Sequence, residues 1–150
     1  MNPKRSLRII VLEDNDNVRT LVTMLLELRG YEVYAFSKPT ICPLQTQTEC
    51  RCNQNQSCTD VILTDLDMPE MDGFRFIEHM KKKNCKCRHV AIMSGGLNPK
   101  ALSRARQLGC KVFEKPFKRE LLFEWLDGIE RLVNPSRELC RWFQDISPSL

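Results

Sequence analysis

The stretch Val61-Ile62-Leu63-Thr64-Asp65-Leu66-Asp67-Met68-Pro69-Glu70-Met71-Asp72-Gly73, VILTDLDMPEMDG, decides how this chain is read. A short apolar, β-branched run gives way at once to three aspartates. Such a run, bounded by turn residues, fits a strand buried on both faces of a parallel sheet. In an open α/β sheet, ligands bind outside the carboxyl ends of the strands. Carboxylates at that point are therefore candidates for chemistry, and the other strand ends become the places to inspect.

Working outward, Leu7 to Leu12 is a second apolar run, broken only by Arg8. The cap candidates Asp14-Asn15-Asp16-Asn17 follow it, then Val18, Leu21, Val22, Leu25 and Leu28 at helical spacing, and Gly30 in the helix-ending position. Tyr31 to Phe36 reads as a strand. After VILT comes a helix with Phe74, Ile77 and Met80 on one face. Val90 to Met93 is the fourth strand. Asn98-Pro99 opens a helix that Gly109 stops. Lys111 to Glu114 is the fifth strand, and a last helix carries Leu121, Leu122, Trp125, Leu126, Ile129 and Leu132. This alternation predicts a doubly wound, five-stranded parallel α/β sheet.

One segment breaks the rhythm. Ser37 to Thr59 has two prolines, many Gln and Thr, and no sustained apolar period, so an irregular second helix or a Cys-rich loop is expected there. Asn134-Pro135 ends the last helix. Residues 1–133 are expected to form one domain, with 134–150 as a short extension containing another turn or two around Ser136 to Phe143.

Composition bounds the function. The 150 residues suit one domain with a real core, and 42% hydrophobic with 28% charged residues describes an ordinary globule. No apolar run has the length to span a bilayer, and the N-terminal run ends in Glu13-Asp14 without a cleavage site, so a cytoplasmic protein without a membrane partner is expected. A net charge of +4 is too mild to imply direct nucleic-acid binding. The run Lys81-Lys82-Lys83 suits a helix C-terminus.

The strand ends carry the chemistry. They place Glu13, Asp14, Asp65, Ser94 and Lys115 around one crevice. Carboxylates held together repel and raise their own pKa values. A hard divalent cation such as magnesium relieves this, and it characteristically uses one or two carboxylates with phosphate oxygens. A carboxylate nucleophile, a metal, a lysine and a hydroxyl together suit phosphoryl transfer.

Four motifs in order, each ending its own strand, carry a resemblance: Glu13-Asp14, DLDMPEMDG from Asp65, MSGG from Met93, and KPF from Lys115. Over roughly Leu7 to Val133 the chain resembles the receiver domain of two-component response regulators. The resemblance implies the flavodoxin-like strand order 2-1-3-4-5, a fold type for which the strand-end rule has been stated. It implies that Asp65 is the phospho-acceptor, that Ser94 is the switch hydroxyl, and that Lys115 is the conserved-type lysine, with a cis bond to Pro116. It implies a Mg2+ site of Glu13, Asp14 and Asp65, with Asp67 lending its backbone carbonyl. A sensor histidine kinase would supply the phosphoryl group. An unknown downstream protein would read the surface of the family's fourth helix, fifth strand and fifth helix. On this reading the chain is a stand-alone receiver and not an enzyme, beyond its own phosphorylation and dephosphorylation.

Departures from the family pattern bear on the kinetics. The aromatic switch position, three before Lys115, is Val112, and Phe113 next to it should face the other way. Asp67 and Gly96 each lie two after a site residue, where the family tunes dephosphorylation, so an atypical phosphoryl lifetime is expected. Other readings compete. Asp72-Gly73 reads as a turn and helix start. Glu13 and Asp14 would serve as helix caps in a chain lacking the other motifs. Asp65-Leu66-Asp67 is a DxD, as in haloacid-dehalogenase-like phosphatases, but Pro69 stands where those have Thr or Val. A degenerate receiver serving as a cysteine-based redox or metal module is the third alternative.

Eight cysteines are unusual for such a chain. Cys58, Cys87 and Cys110 precede neighbouring strands and should approach one another opposite the acidic crevice, with Cys50, Cys52 and Cys85 able to join. Thiolates suit zinc or iron–sulfur chemistry, whereas the spacings C-x-C and C-x5-C differ from the usual C-x2-C pairs. A structural metal, disulfides, or simple core packing are the alternatives.

Overall fold

The computed structural model describes residues 6–42, 52, 56–116 and 118–140. Its elements are β1 (Arg8–Leu12), α1 (Asp16–Leu28), β2 (Glu32–Phe36), a 3-10 turn (Pro39–Ile41), β3 (Val61–Asp65), α2 (Gly73–Lys82), β4 (His89–Ser94), α3 (Pro99–Gln107), β5 (Lys111–Glu114) and α4 (Arg119–Leu132). The sheet has the order β2-β1-β3-β4-β5, with every neighbouring pair parallel. This is the expected doubly wound arrangement. The register aligns Leu12 with Thr64, Asp65 with Met93 and Ser94 with Glu114, so the strand ends share one rim.

Strand alternation builds two apolar layers. Ile9, Val11 and Leu63 face Val22 and Leu26 of α1 and Leu122 of α4. Ile10, Ile62 and Ile92 face Phe76 and Ile77 of α2 and Ala105 of α3. All five residues of β1 and of β3 are buried, as continuous apolar central strands require. Phe113 and Val112 fall in different layers, as their neighbouring positions on β5 demand. Phe113 packs edge-on against Trp125, with ring centroids 5.6 Å apart.

The helix boundaries follow their caps. Asn15 accepts from the Val18 amide at 3.0 Å, Asp72 from Arg75 at 2.8 Å, and Asn98 from Ala101 at 2.8 Å. Gly30 has φ 86° just beyond α1, and Gly109 has φ 74° beyond α3. The helical stripes are narrower than the apolar spacing implies. In α1 the buried positions are Val22 and Leu26, while Leu21 and Leu28 are exposed. Their Cα positions lie off the stripe that faces the sheet.

In the irregular segment the described portion contains only the 3-10 turn. Residues 43–51 and 53–55, Cys50 among them, lie outside the described residues. Past α4, one turn forms as the Arg137 amide bonds the Asn134 carbonyl at 3.0 Å. The chain then runs without helix to Cys140, whose amide donates to the Ser57 carbonyl at 2.8 Å. The remainder of the expected second turn, residues 141–143, lies outside the described residues.

Candidate functional site

The crevice is assembled by four strand ends. β1 delivers Glu13, wholly buried, and Asp14, exposed. β3 delivers Asp65, which is 3% exposed. β4 delivers Ser94, and the backbone bond from the Lys115 amide to the Ser94 carbonyl, 2.8 Å, extends the β4–β5 pairing by one residue. That bond brings Lys115 to the rim. The Lys115-Pro116 peptide is cis.

Lys115 sits between two carboxylates, with Nζ 2.8 Å from Glu13 Oε2 and 3.2 Å from Asp65 Oδ1. Glu13 is held further by the Asn15 amide, which donates to Oε1 at 3.1 Å. Ligand atoms of Glu13, Asp14 and Asp65 all lie within 4.8 Å of one another. Asp67 is exposed, its amide 3.4 Å from Asp65 Oδ1 and its carboxylate 3.4 Å from the Ser94 hydroxyl. The Gly96 amide donates to Ser94 Oγ at 3.1 Å. Ser94 thus bonds Asp67 and Gly96.

Electrostatics single out Asp65. Burial pushes its carboxyl up to about 7, a hydrogen bond shared with Asp14 and the Glu13 charge push the same way, and Lys115 opposes them. Burial by itself would lower Lys115, but its bonds to Glu13 and Asp65 outweigh this and hold it above the usual lysine value. One ammonium thus bonds two members of a group of three carboxylates. The donor set is all oxygen, incompletely neutralised, and open on the Asp14 side, which fits a hard divalent cation of the magnesium class.

The sequence-expected residues Glu13, Asp14, Asp65, Ser94 and Lys115 meet here, with Asp67 at the mouth. Asp72 is absent from the crevice and caps α2 instead. Sequence reasoning missed Gly73. A Cβ at this position would stand 2.6 Å from the Asp65 carbonyl and 3.2 Å from Leu66 Cα. The Gly73 amide also donates to the Leu66 carbonyl at 2.9 Å, closing the loop after β3. A glycine directly after a helix cap was the available signal, because a helix start does not by itself need one.

The thiols gather at the opposite end of the strands. Cys52 and Cys58 share a hydrogen bond, and the charges of Cys85 and Cys87 bear on Cys58. Cys87 Sγ lies 3.6 Å from the Asp60 carbonyl. Cys110, expected to join them, packs in the same layer, with Sγ 3.8 Å from the Leu108 carbonyl and Lys81 as its charged neighbour.

The family described as response regulator receiver domain matches residues 9–127. The transcriptional regulatory protein FlgR of Helicobacter pylori is 31% identical over 120 residues, which is 79% of this chain and 28% of FlgR. The regulatory protein AtoC of Escherichia coli is 26% identical over 145 residues, covering 95% of this chain and 29% of AtoC. The chain thus spans under a third of the length of these curated relatives. Among solved structures, the Francisella response regulator 1452 receiver domain superposes with a TM-score of 0.71 at 18% identity, covering 86% of this chain and all of that one. The Vibrio cholerae chemotaxis protein CheY4 gives 0.66 at 23% identity, covering 83% and 98%. Neither the phosphatase nor the degenerate-module alternative is favoured by these matches. The family profile, the strand order and the composition of the crevice converge: this chain belongs to the response regulator receiver domain family.

Proposed function

We propose that this chain is a magnesium-dependent phospho-acceptor that takes a phosphoryl group from a sensor histidine kinase onto Asp65. The observation that carries the reading is the placement of Lys115 against Asp65 and Glu13 inside the acidic triad. Glu13, Asp14 and Asp65 would hold the metal, with the Asp67 backbone carbonyl as the family resemblance implies. When bound, magnesium supplies positive charge that offsets the phosphoryl oxygens.

The protein's own groups do the rest. The Asp65 carboxylate attacks phosphorus, the P–N bond of the phosphohistidine breaks, and the imidazole leaves with the electron pair. Lys115 opposes protonation of Asp65 and pairs with a phosphoryl oxygen as the charge moves outward. Ser94 can exchange its Asp67 bond for one to the phosphoryl group. That exchange would bias β4, β5 and the flanking α3 and α4, the surface on which a downstream protein would read the state.

On this reading residues 1–133 are the receiver and 134–150 an extension, and the protein works in the cytoplasm as a signalling component without turnover of external substrates. Among the described residues no helix is long and apolar enough to cross a membrane. Asp67 and Gly96, where a Cβ would meet nothing within 4 Å, support an atypical phosphoryl lifetime.

The test is incubation with Mg2+ and a small acyl phosphate, read by intact mass. The expected result is one added phosphoryl group that is lost in Asp65→Asn and on metal chelation. An adduct that survives Asp65→Asn, or none in folded wild type with acyl phosphates and kinases alike, overturns the reading. Rapid turnover of phosphate monoesters would favour the phosphatase alternative.

A further inference from the structure

The acidic crevice uses one end of the sheet and leaves the other unexplained. At that other end the β3–β4 register pairs Val61 with His89, so residues 58–60 and 86–88 run side by side before the strands begin. Neighbouring strands lie about 4.8 Å apart, which puts Cys58 and Cys87 on adjacent chains. Cys87 Sγ indeed lies 3.6 Å from the Asp60 carbonyl, two residues from Cys58. Cys52 hydrogen-bonds Cys58, and Cys85 packs in the same layer.

We propose that Cys52, Cys58, Cys85 and Cys87 form a tetrathiolate site for a zinc ion at the base of the sheet.

Three observations favour this over cysteines used as ordinary core residues. First, only Cys58 is fully buried, while Cys52, Cys85 and Cys87 are partly exposed. Cys85 and Cys87 line two cavities that flank the cluster, so they are not filling sealed apolar space. Second, the four thiols come from separate stretches of chain that the fold brings together: Cys58 leads into β3, Cys85 and Cys87 lead into the neighbouring β4, and Cys52 packs against the same layer. Thiolates gathered in this way suit a soft or borderline cation. Third, four thiolates on a divalent ion leave two negative charges, and Lys81, Lys86 and Arg88 stand on the walls of the same cavities.

Among the described residues only the acidic triad already has all its ligand atoms within 4.8 Å. On this proposal, binding draws the four thiols together around the ion. Cys52, Cys58, Cys85 and Cys87 all lie outside helices and strands, where side-chain and loop adjustment does not break a ladder. Binding releases the thiol protons to solvent and involves no change of oxidation state. The site would clamp the loop before β3 to the loop before β4, on the side where the irregular segment supplies no regular helix among its described residues. It does not depend on the phosphoryl-transfer reading.

The experiment uses the full chain, purified without chelators, for metal analysis and thiol counting. The expected result is one zinc per chain, the four ligand thiols and the buried Cys42 unreactive in the native protein, and all eight reactive after denaturation with a chelator. Cobalt titration of the reduced, metal-stripped wild type should give the thiolate-to-metal charge-transfer band of a four-thiolate site. This arm needs no substitution and so survives a variant that fails to fold. Cys52→Ser and Cys87→Ser should weaken zinc binding at least tenfold, while Cys110→Ser should leave it unchanged. Eight reactive thiols with no bound metal overturn the proposal. So does a thiol deficit cured only by reductant, which would mean a disulfide, or zinc retained at full affinity in both Cys52→Ser and Cys87→Ser.

Discussion

Gly73 and Gly128 are both helical glycines, yet their surroundings make opposite predictions. A Cβ at Gly73 would collide with the Asp65 carbonyl at 2.6 Å, and that carbonyl belongs to the strand end that aims the candidate nucleophile. Gly73→Ala gains roughly 1 kcal/mol of helix propensity but forces backbone apart, an overpacking that typically costs about 1–3 kcal/mol. The net expectation is a lower urea midpoint together with slower phosphorylation of Asp65. At Gly128 the nearest foreign atom is the end of the Arg131 side chain at 3.9 Å. Gly128→Ala should therefore raise the midpoint, by up to about 1 kcal/mol, and leave phosphorylation unchanged. If both variants shift the midpoint in the same direction, the close approach at Gly73 does not govern its substitution. Asp65, Glu13 and Lys115 were legible as site residues because each ends an apolar run. Gly73 was not, because its constraint comes from a backbone atom eight residues earlier across a loop.

At the scale of elements, strands and caps were legible and a long-range strap was not. Asn15, Asp72 and Asn98 cap three helices through partners three residues away, a range that sequence spacing exposes directly. Asp60 works differently. Its carboxylate is 4% exposed and accepts from the Arg8 amide at 2.9 Å and from Arg137 Nε and Nη2 at 2.6 and 2.5 Å. Arg137 also donates to the Ser6 carbonyl at 3.0 Å, and Arg8 to the Cys58 and Cys140 carbonyls at 2.8 and 2.9 Å. The segment after α4, expected only to form a turn or two, is thus tied to the starts of β1 and β3. The pairing spans 77 residues, which no local pattern encodes. The signals were single residues: an arginine inside an apolar strand, and an aspartate just before one. Arg137→Ala would leave a buried carboxylate short of its counter-charge. Fully buried pairs lose about 3–5 kcal/mol on such a change; with Arg137 at 20% exposure, about 2 kcal/mol is expected here. Arg137→Lys should recover only part, because a lysine cannot make the two-pronged contact. Chemical denaturation checks both, and full stability in Arg137→Ala would show that the strap adds nothing to the fold.

The whole molecule couples its fold to its acidic crevice through Asp65. Alternation of strands and helices made the sheet legible, since the central strands are near-continuous apolar runs and every crossover except that from β2 to β3 carries a patterned helix. The charge state of the assembled crevice was only qualitatively legible, because it depends on how deeply each carboxylate is buried. Asp65 has its carboxyl raised from 3.8 to about 7, so the folded chain holds that proton more tightly than the unfolded chain. Its contribution to stability is therefore full below the ordinary aspartate value and is lost as the pH rises toward and through 7. A divalent cation binds the ionised form and reverses the loss, so its benefit must grow with pH. At a tenfold excess over its dissociation constant a ligand adds about 1.4 kcal/mol, which for a domain of this size is roughly 3–6 °C in Tm. Thermal melts at pH 5 and pH 8, with and without Mg2+, measure this directly. Magnesium should raise Tm clearly at pH 8 and little at pH 5, and in its absence the wild type should lose ground to Asp65→Asn as the pH rises. Asp65→Asn should lose most of the magnesium gain at pH 8. An equal gain at both pH values, or one that Asp65→Asn retains, would mean that the cation binds elsewhere and that Asp65 does not link proton, metal and fold.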